Sequence, residues 1–338
     1  MSGERARLAS LVRAFRGRRV LVLADLVADE FVYGRVERIS REAPVLILRH
    51  DTSDLRLGGG ANAVHNIRTL GGRPLPLGVL GKDAHGAALR RLLREKGIDG
   101  GCVFEEPSYP TPVKTRILAG RPHSTKQQVV RLDRYQRLPS RSRARQAVLR
   151  ALRGFSGELD GILVSDYGFG LLDPALVRSA VALARRRKVP VAVDSRFALL
   201  RFRGMTAVTP NEPEVEEALG ITIGHDRGRL EAAGRELLAR LGCRAVLITR
   251  GSDGMALFEK GLPPEHIEIH GTDEVADVTG AGDTVIAAFT LALAAGATPA
   301  EASRLANCAG GIVVMKQGTA TVSADELRDA VRASAPPA

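Results

Sequence analysis

The stretch Asp277-Val-Thr-Gly280-Ala281-Gly282-Asp283-Thr-Val-Ile-Ala-Ala-Phe289 joins a glycine-rich turn, a carboxylate and an almost wholly apolar run. Gly280 and Gly282 permit backbone conformations that a Cβ forbids, so successive N–H groups can converge in front of a helix predicted from about Ala281 to Ala295. Converging amides and the positive end of a helix dipole bind anions. An acidic side chain on that first turn, Asp283, can accept a proton from a hydroxyl beside the bound anion, a combination suited to phosphoryl transfer from a nucleotide to an alcohol. The same residues also describe a tight turn in which Asp283 is only a favourable N-terminal charge.

Upstream of this stretch, helix and strand patterns alternate. Strands are predicted near Gly161–Ser165, Val189–Asp194, Met205–Thr209 and Ala245–Thr249, with helices at about 140–153, 174–187, 213–219 and 227–240. That alternation calls for a doubly wound α/β fold with a mainly parallel central sheet. Arg19-Val-Leu-Val-Leu-Ala-Asp25 reads as another buried parallel strand, ending in a carboxylate where open α/β sheets bind their ligands. Asp25 and Asp29 are therefore candidates for sugar-hydroxyl contacts or, equally, loop and cap aspartates. Between the two patterns lie β-rich pieces, Phe31–Val36, Val45–Arg49, Pro112–Ala119 and Lys126–Asp133, which suit a small β-sheet lid inserted at about 31–57 and 110–134. On a period of two, Lys114 and Arg116 share one face, as do Gln127, Val129, Arg131 and Asp133. Such a cationic face fits either a phosphate on an acceptor or a solvated edge sheet. The whole is expected to form a single domain over 1–334, with 335–338 a loose tail.

Three further clusters carry polar chemistry. Gly58-Gly59-Gly60-Ala61-Asn62 feeds a helix ending at Gly71, with Asn62 able both to donate to and to accept from a hydroxyl. Asn211-Glu-Pro-Glu214 opens a helix, where Glu214 is either a cap or a holder of waters around magnesium. Thr249-Arg250-Gly251-Ser-Asp-Gly254 reads as a hairpin or as glycines beside a nucleotide, and Asn307 among small residues permits approach of adenine or of a neighbouring helix.

Composition narrows the functional classes. The net charge is +11, but 42 of the 49 basic residues are arginines scattered along the chain, and aromatic residues for base stacking are few. A specific nucleic-acid partner is therefore not expected. No long apolar run calls for a membrane span, and the N-terminus, with six arginines in nineteen residues, lacks a secretory signal, so a cytoplasmic protein is expected. Cys102, Cys243 and Cys308 have neither the number nor the spacing of a disulfide framework or a zinc site.

Taken together, Gly58-Gly59-Gly60-Ala61-Asn62…Asn66…Leu70-Gly71 and Asp277-Val-Thr-Gly-Ala-Gly-Asp283-Thr resemble, in order and spacing, the two signatures of the ribokinase-like (PfkB) sugar kinases over about residues 18–330. The resemblance implies ATP and magnesium as cofactors. It implies Asp283 as catalytic base, Gly280, Ala281 and Gly282 as anion hole, and Asp25, Gly58, Gly59 and Asn62 as sugar contacts. It further implies Asn211, Glu214, Thr249, Arg250, Gly251, Gly254 and Asn307 on the nucleotide and metal side, with Asp277 near a monovalent-cation site such as one for potassium. Within the family, Arg38–Val45, Lys126–Asp133, Ser165-Asp166-Tyr167 and Lys316–Val322 are similar to the kinases of D-glycero-β-D-manno-heptose 7-phosphate. That similarity adds Lys114, Arg116, Gln128, Arg131 and Asp166 as phosphosugar contacts and a homodimer through the lid strands. Two departures stand out: Phe169 where those kinases carry a lysine, and a longer loop at Gly120–Thr125. With the chain ending at Ala338, no adenylyltransferase domain is expected. A sugar- and nucleotide-binding sensor of the same fold is the second reading, and a basic nucleic-acid binder the third.

Overall fold

The computed structural model describes residues 2–120, 126–271 and 276–333. In chain order these form helix α1 (Ser2–Ala14), strand β1 (Arg19–Ala24), the long hairpin β2 (Leu26–Ile39) and β3 (Leu46–Gly59), then α2 (Gly60–Thr69), β4 (Arg73–Gly81) and α3 (Ala84–Glu95). There follow β5 (Val103–Glu106), β6 (Val113–Gly120), β7 (Gln127–Arg134), α4 (Arg143–Arg153), β8 (Gly161–Asp166), α5 (Pro174–Arg187), β9 (Val191–Ser195), β10 (Ala207–Val208), α6 (Glu212–Leu219) and α7 (Arg227–Leu241). The last part comprises β11 (Ala245–Thr249), β12 (Met255–Glu259), β13 (Glu265–Ile267), α8 (Ala281–Ala294), α9 (Pro299–Val314) and α10 (Ala324–Ala333).

Nine strands form one sheet in the order β13-β12-β11-β10-β9-β8-β1-β4-β5, parallel from β11 to β5 and antiparallel at the β11–β12 and β12–β13 pairs. In β1 every residue from Val20 to Ala24 is buried because helices cover both faces. Val20, Val22 and Ala24 enter a core shared with α1, α2, α8 and α9, while Leu21 and Leu23 enter one shared with α4, α5 and α7. Helix α8 is buried from Asp283 to Ala292, as expected of a helix that is apolar all round. Among the described residues no helix is long and apolar enough to cross a membrane.

A second sheet, β3-β2-β6-β7, is built from two separate stretches of chain, with β2 antiparallel to β3 but parallel to β6. Its first two strands are 14 residues each, far longer than the pieces at 31–36 and 45–49 that β-propensity suggests. Helices α1 and α10 and strand β5 are elements the sequence pattern does not announce. In α1 the stripe Leu8, Leu11, Val12 and Phe15 is buried, but the arginines between these residues obscure it. The expected strand at 205–209 shrinks to two ladder residues, Ala207 and Val208. Residues 121–125, the body of the loop expected to be long, and 335–338 lie outside the described residues.

Candidate active site

Gly280 starts α8 in the left-handed region at φ 80°, with no side chain capping the helix. A Cβ there would fall 2.6 Å from Asn62 Nδ2, so glycine is required for both conformation and space. A Cβ on Gly282 would meet nothing within 4 Å, and the amides of Gly282 and Asp283 have no acceptor within the helix. The Ala281 amide, expected in the anion hole, instead donates to Val278 O at 3.2 Å and closes the turn. The open amide pair is therefore Gly282 with Asp283.

The Asp283 carboxyl is 3% exposed, with Oδ1 accepting from the Tyr167 hydroxyl at 2.8 Å and Oδ2 from Asn62 Nδ2 at 3.1 Å. Asn66, one helical turn on, donates to Asn62 Oδ1 at 3.2 Å and fixes that amide's orientation. Burial pushes Asp283 up to about 7, against the opposing pull of the Tyr167 and Asn62 hydrogen bonds and the Lys114 charge. Asp25, one residue past the end of β1, is also pushed up to about 7, first by burial and then by Asp166. Its Oδ2 accepts from the amides of Tyr167 and Phe169 at 3.0 and 3.1 Å, while its Oδ1 is buried with no hydrogen-bond partner among the described residues. An orphaned buried carboxylate oxygen is costly unless a ligand hydroxyl completes it.

Several expected contacts are already occupied. A Cβ on Gly58 would fall 2.4 Å from Asp29 Cγ, and one on Gly59 would fall 2.7 Å from Val27 Cγ2, so internal packing accounts for both glycines. Asp29 accepts from Arg116 Nη1 at 2.8 Å and from the Thr319 hydroxyl at 2.6 Å. Arg116, expected on a substrate phosphate, is thus committed to a buried ion pair, and its guanidinium also lies 5.4 Å from the Phe31 ring centroid. Arg131 is likewise held by both oxygens of Asp133, at 2.7 and 2.5 Å. Gln128 pairs with Leu118, because a bulge between Ile117 and Leu118 breaks the period of two; it joins the Arg131 face, two residue pairs beyond Arg116. Asp166 accepts from the Ser195 hydroxyl at 2.7 Å and from the Gly168 amide at 3.0 Å, which fixes the turn under Tyr167. Asp277, expected near a monovalent cation, accepts from the amides of Thr279 and Gly318 at 2.8 and 2.9 Å.

Lys114 remains. It is 8% exposed, makes no ion pair among the described residues, and lies 4.3 Å from the centroid of the Tyr167 ring. Burial lowers its pKa, only partly offset by Asp29 and Asp283.

Of the residues expected on the nucleotide side, Asn211, Thr249, Arg250 and Gly251 line one cleft of about 410 Å³ together with His225, a residue without a sequence signal. Arg250 is braced by Glu212 at 2.8 Å and Asp253 at 3.2 Å. Asn211 and Glu214 form a reciprocal capping box, at 2.8 and 2.9 Å, so the capping reading is realised. Glu214 nevertheless faces a second cleft of about 250 Å³, and its pKa is raised by burial. Asp194, near the end of β9, is raised well above the carboxylate range by burial and then by Glu214, Asp283 and Asp166. This residue was missed, although a buried strand ending in a carboxylate is the same signal that identified Asp25. Gly254 and Asn307 line neither cleft. A Cβ on Gly254 would fall 2.1 Å from Ile267 O, and Asn307 Nδ2 donates to Glu268 O at 2.7 Å, so both tie secondary structure together.

Residues 21–326 match the model of the pfkB family of carbohydrate kinases. The bifunctional protein HldE of Geobacter metallireducens is 42% identical over 325 residues, covering 96% of this chain and 65% of that relative. HldE of Caulobacter vibrioides is 41% identical over 322 residues, with coverages of 95% and 65%. The chain therefore spans just under two thirds of the length of these relatives. Among solved structures, Arabidopsis thaliana ribokinase complexed with ribose and ATP superposes with a TM-score of 0.70 at 21% identity, covering 94% of this chain and 100% of the other. Phosphofructokinase-2 from Escherichia coli in complex with potassium gives 0.73 at 18% identity, covering 94% and 98%. At such identities the structural likeness speaks for the fold.

Proposed function

The chain belongs to the pfkB family of carbohydrate kinases, and from that membership, together with the segments similar to heptose 7-phosphate kinases, we propose that it is an ATP-dependent kinase acting on the anomeric hydroxyl of D-glycero-β-D-manno-heptose 7-phosphate. The observation that carries the kinase reading is the buried Asp283 carboxylate on the first turn of α8, beside the Gly282 and Asp283 amides that the helix leaves without an acceptor. Ionised Asp283 accepts the acceptor's proton as the oxygen forms its bond to the γ-phosphorus and the bond to the ADP oxygen breaks. The Gly282 and Asp283 amides meet the charge on the transferring phosphoryl group. Asp25 Oδ1 orients the acceptor through a second hydroxyl.

Among the described residues no three His, Cys, Asp or Glu side chains are gathered to hold a metal ion directly. The site suits a magnesium ion that keeps much of its water shell beside phosphates, with Asp194 and Glu214 accepting from those waters. Bound magnesium would draw charge from the phosphoryl oxygens. Glu214→Gln is expected to raise the magnesium concentration for half-maximal rate at least about threefold at saturating ATP, because one anionic acceptor is lost. An unchanged magnesium curve leaves Glu214 with its capping role alone.

A phosphorylated acceptor is favoured by Lys114, a buried cation near Asp283 that makes no ion pair among the described residues. Lys114→Met should raise the acceptor KM at least about tenfold with little change in the ATP KM, the worth of one charge-assisted hydrogen bond. Arg116→Ala should instead lower thermal stability, since unpairing buried Asp29 costs up to about 3–5 kcal/mol. Equal effects of both substitutions on the acceptor KM would return Arg116 to the substrate. Measuring ADP release with Mg-ATP and a panel of sugars tests the acceptor assignment. Efficient use of unphosphorylated heptose or fructose would remove it and leave the broader sugar-kinase reading, whereas binding without turnover would favour the sensor.

Homodimerisation through the small sheet completes the reading. Ile39 on β2 and Val129 and Leu132 on β7 are 66%, 46% and 63% exposed, apolar side chains suited to contact with a second copy. Sedimentation at the monomer mass of 36.1 kDa would contradict it. The cytoplasmic supply of ATP places such an enzyme in the cytoplasm, which cell fractionation checks.

A further inference from the structure

Tyr167 touches both candidate carboxylates. Its backbone amide donates to Asp25 Oδ2 at 3.0 Å, and its hydroxyl donates to Asp283 Oδ1 at 2.8 Å. The residue is locked between neighbours. Its ring lies 6.4 Å from that of Phe169 at an interplanar angle of 15°, and Phe169 in turn lies 5.0 Å from Tyr135. Lys114 Nζ covers the ring at 4.3 Å, and the Gly59 backbone comes so close that a Cβ there would be 3.2 Å from Tyr167 Cε2. A phenol held by so many contacts presents its hydroxyl in one place.

We propose that Tyr167 is a positioning residue for the base: its hydroxyl fixes the Asp283 carboxylate in one orientation and favours the ionised form that accepts the acceptor's proton. The proposal rests on the reading of Asp283 as base and adds a residue to it. A buried carboxylate surrounded by carbon tends to hold its proton, and a donor on Oδ1 opposes that tendency. The phenol is a suitable donor because it stays protonated itself. Burial and the nearby Asp283 and Asp194 charges raise its pKa well above the usual phenol value. The groups that bear on Asp283 are Tyr167 after β8, Lys114 on β6, Asp29 on β2 and Asp194 on β9, along with the neutral amide of Asn62 on α2. Asp29 is already paired with Arg116 and Thr319, so Tyr167 and Asn62 are the direct donors and Lys114 a nearby positive charge. Each carboxylate oxygen has accepted one hydrogen bond and retains a second lone pair for the acceptor.

The test is a titration of the Asp283 carboxyl carbon by NMR in aspartate-labelled protein, assigned with Asp283→Asn, beside the pH dependence of kcat/KM for the acceptor. Tyr167→Phe keeps the ring, the lysine contact and the amide on Asp25, and loses only the hydroxyl. The Asp283 titration should move up by about one pH unit, with kcat/KM for the acceptor falling about tenfold at pH 6.5 yet staying within about threefold of the wild type at pH 8.5. Replacing Tyr167 by 3-fluorotyrosine makes the phenol a stronger donor and should move the titration down, which keeps the test open if the phenylalanine variant folds poorly. An Asp283 titration unmoved by either change, or a kcat/KM lowered by one factor at every pH, would overturn the proposal. Should the wild type phosphorylate no sugar while the titration still moves as described, the tyrosine assignment stands and the kinase reading falls.

Discussion

Asp283→Asn is expected to lower kcat by about 10²- to 10⁴-fold, with the ATP dissociation constant nearly unchanged. Asparagine is isosteric and can still accept from the Tyr167 hydroxyl on its carbonyl oxygen, although its amide nitrogen then faces the Asn62 Nδ2 donor and that hydrogen bond is lost. It cannot accept the acceptor's proton. The amides of Gly282 and Asp283 remain, and their hold on the phosphoryl group accounts for the residual rate. Stability should move the opposite way. Because the folded pKa of Asp283 is raised to about 7 by burial, its ionisation opposes folding fully above that pH and not at all near pH 4. The asparagine variant should therefore melt at a higher temperature than the wild type at pH 8, with the difference closing as pH falls toward 4. A variant that turns over at near-normal rate removes Asp283 from the proton transfer.

Gly280→Ala is expected to lower kcat by about 10²- to 10³-fold, comparable to the loss of an oxyanion-hole donor. Two physical effects act together. Alanine at φ 80° is in a region that costs about 1–2 kcal/mol for an L residue. Its Cβ would also stand 2.6 Å from Asn62 Nδ2, and Asn62 could move only by giving up its bond to Asp283 Oδ2. Both the amide pair and the base are then displaced. Gly282→Ala is the informative contrast, because a Cβ there meets no protein atom. That variant should fold normally and weaken ATP binding more than it disturbs Asp283. If Gly280→Ala retains full activity, the tight approach of Asn62 to the turn has no catalytic consequence.

The parts of this arrangement that were legible in the sequence are those encoded locally. The apolar run after Asp283 announced a buried helix, and Val20–Ala24 before Asp25 announced a buried strand with a carboxylate at its end. Strand periodicity correctly put Lys114 and Arg116 on one face, yet it could not tell that Asp29, on the neighbouring strand, already holds Arg116 while Lys114 makes no ion pair among the described residues. A single bulge brought Gln128 rather than Gln127 onto that face. Tyr167 was visible only within a segment of family likeness, because its role depends on Asp283, 116 residues away. In the same way the stripe Leu8, Leu11, Val12 and Phe15 becomes meaningful only once α10 and the core are packed against it. Non-local pairing, not propensity, is the common element in these cases, whereas Asp194 carried a local signal, a strand ending in a carboxylate.

The most direct measurement of the central claim is the rate of acceptor-dependent ADP release by the wild-type protein between about pH 5 and 9 at saturating ATP and varied acceptor, read beside the same profile for Asp283→Asn. With Asp283 raised to about 7 in the free protein and acting as base, kcat/KM for the acceptor over the same range should be level above that pH and fall about tenfold per unit below it, with the asparagine variant low throughout. A wild-type kcat/KM that stays level down to pH 5, where a carboxyl with this pKa is protonated, would contradict the assignment of Asp283 as the base.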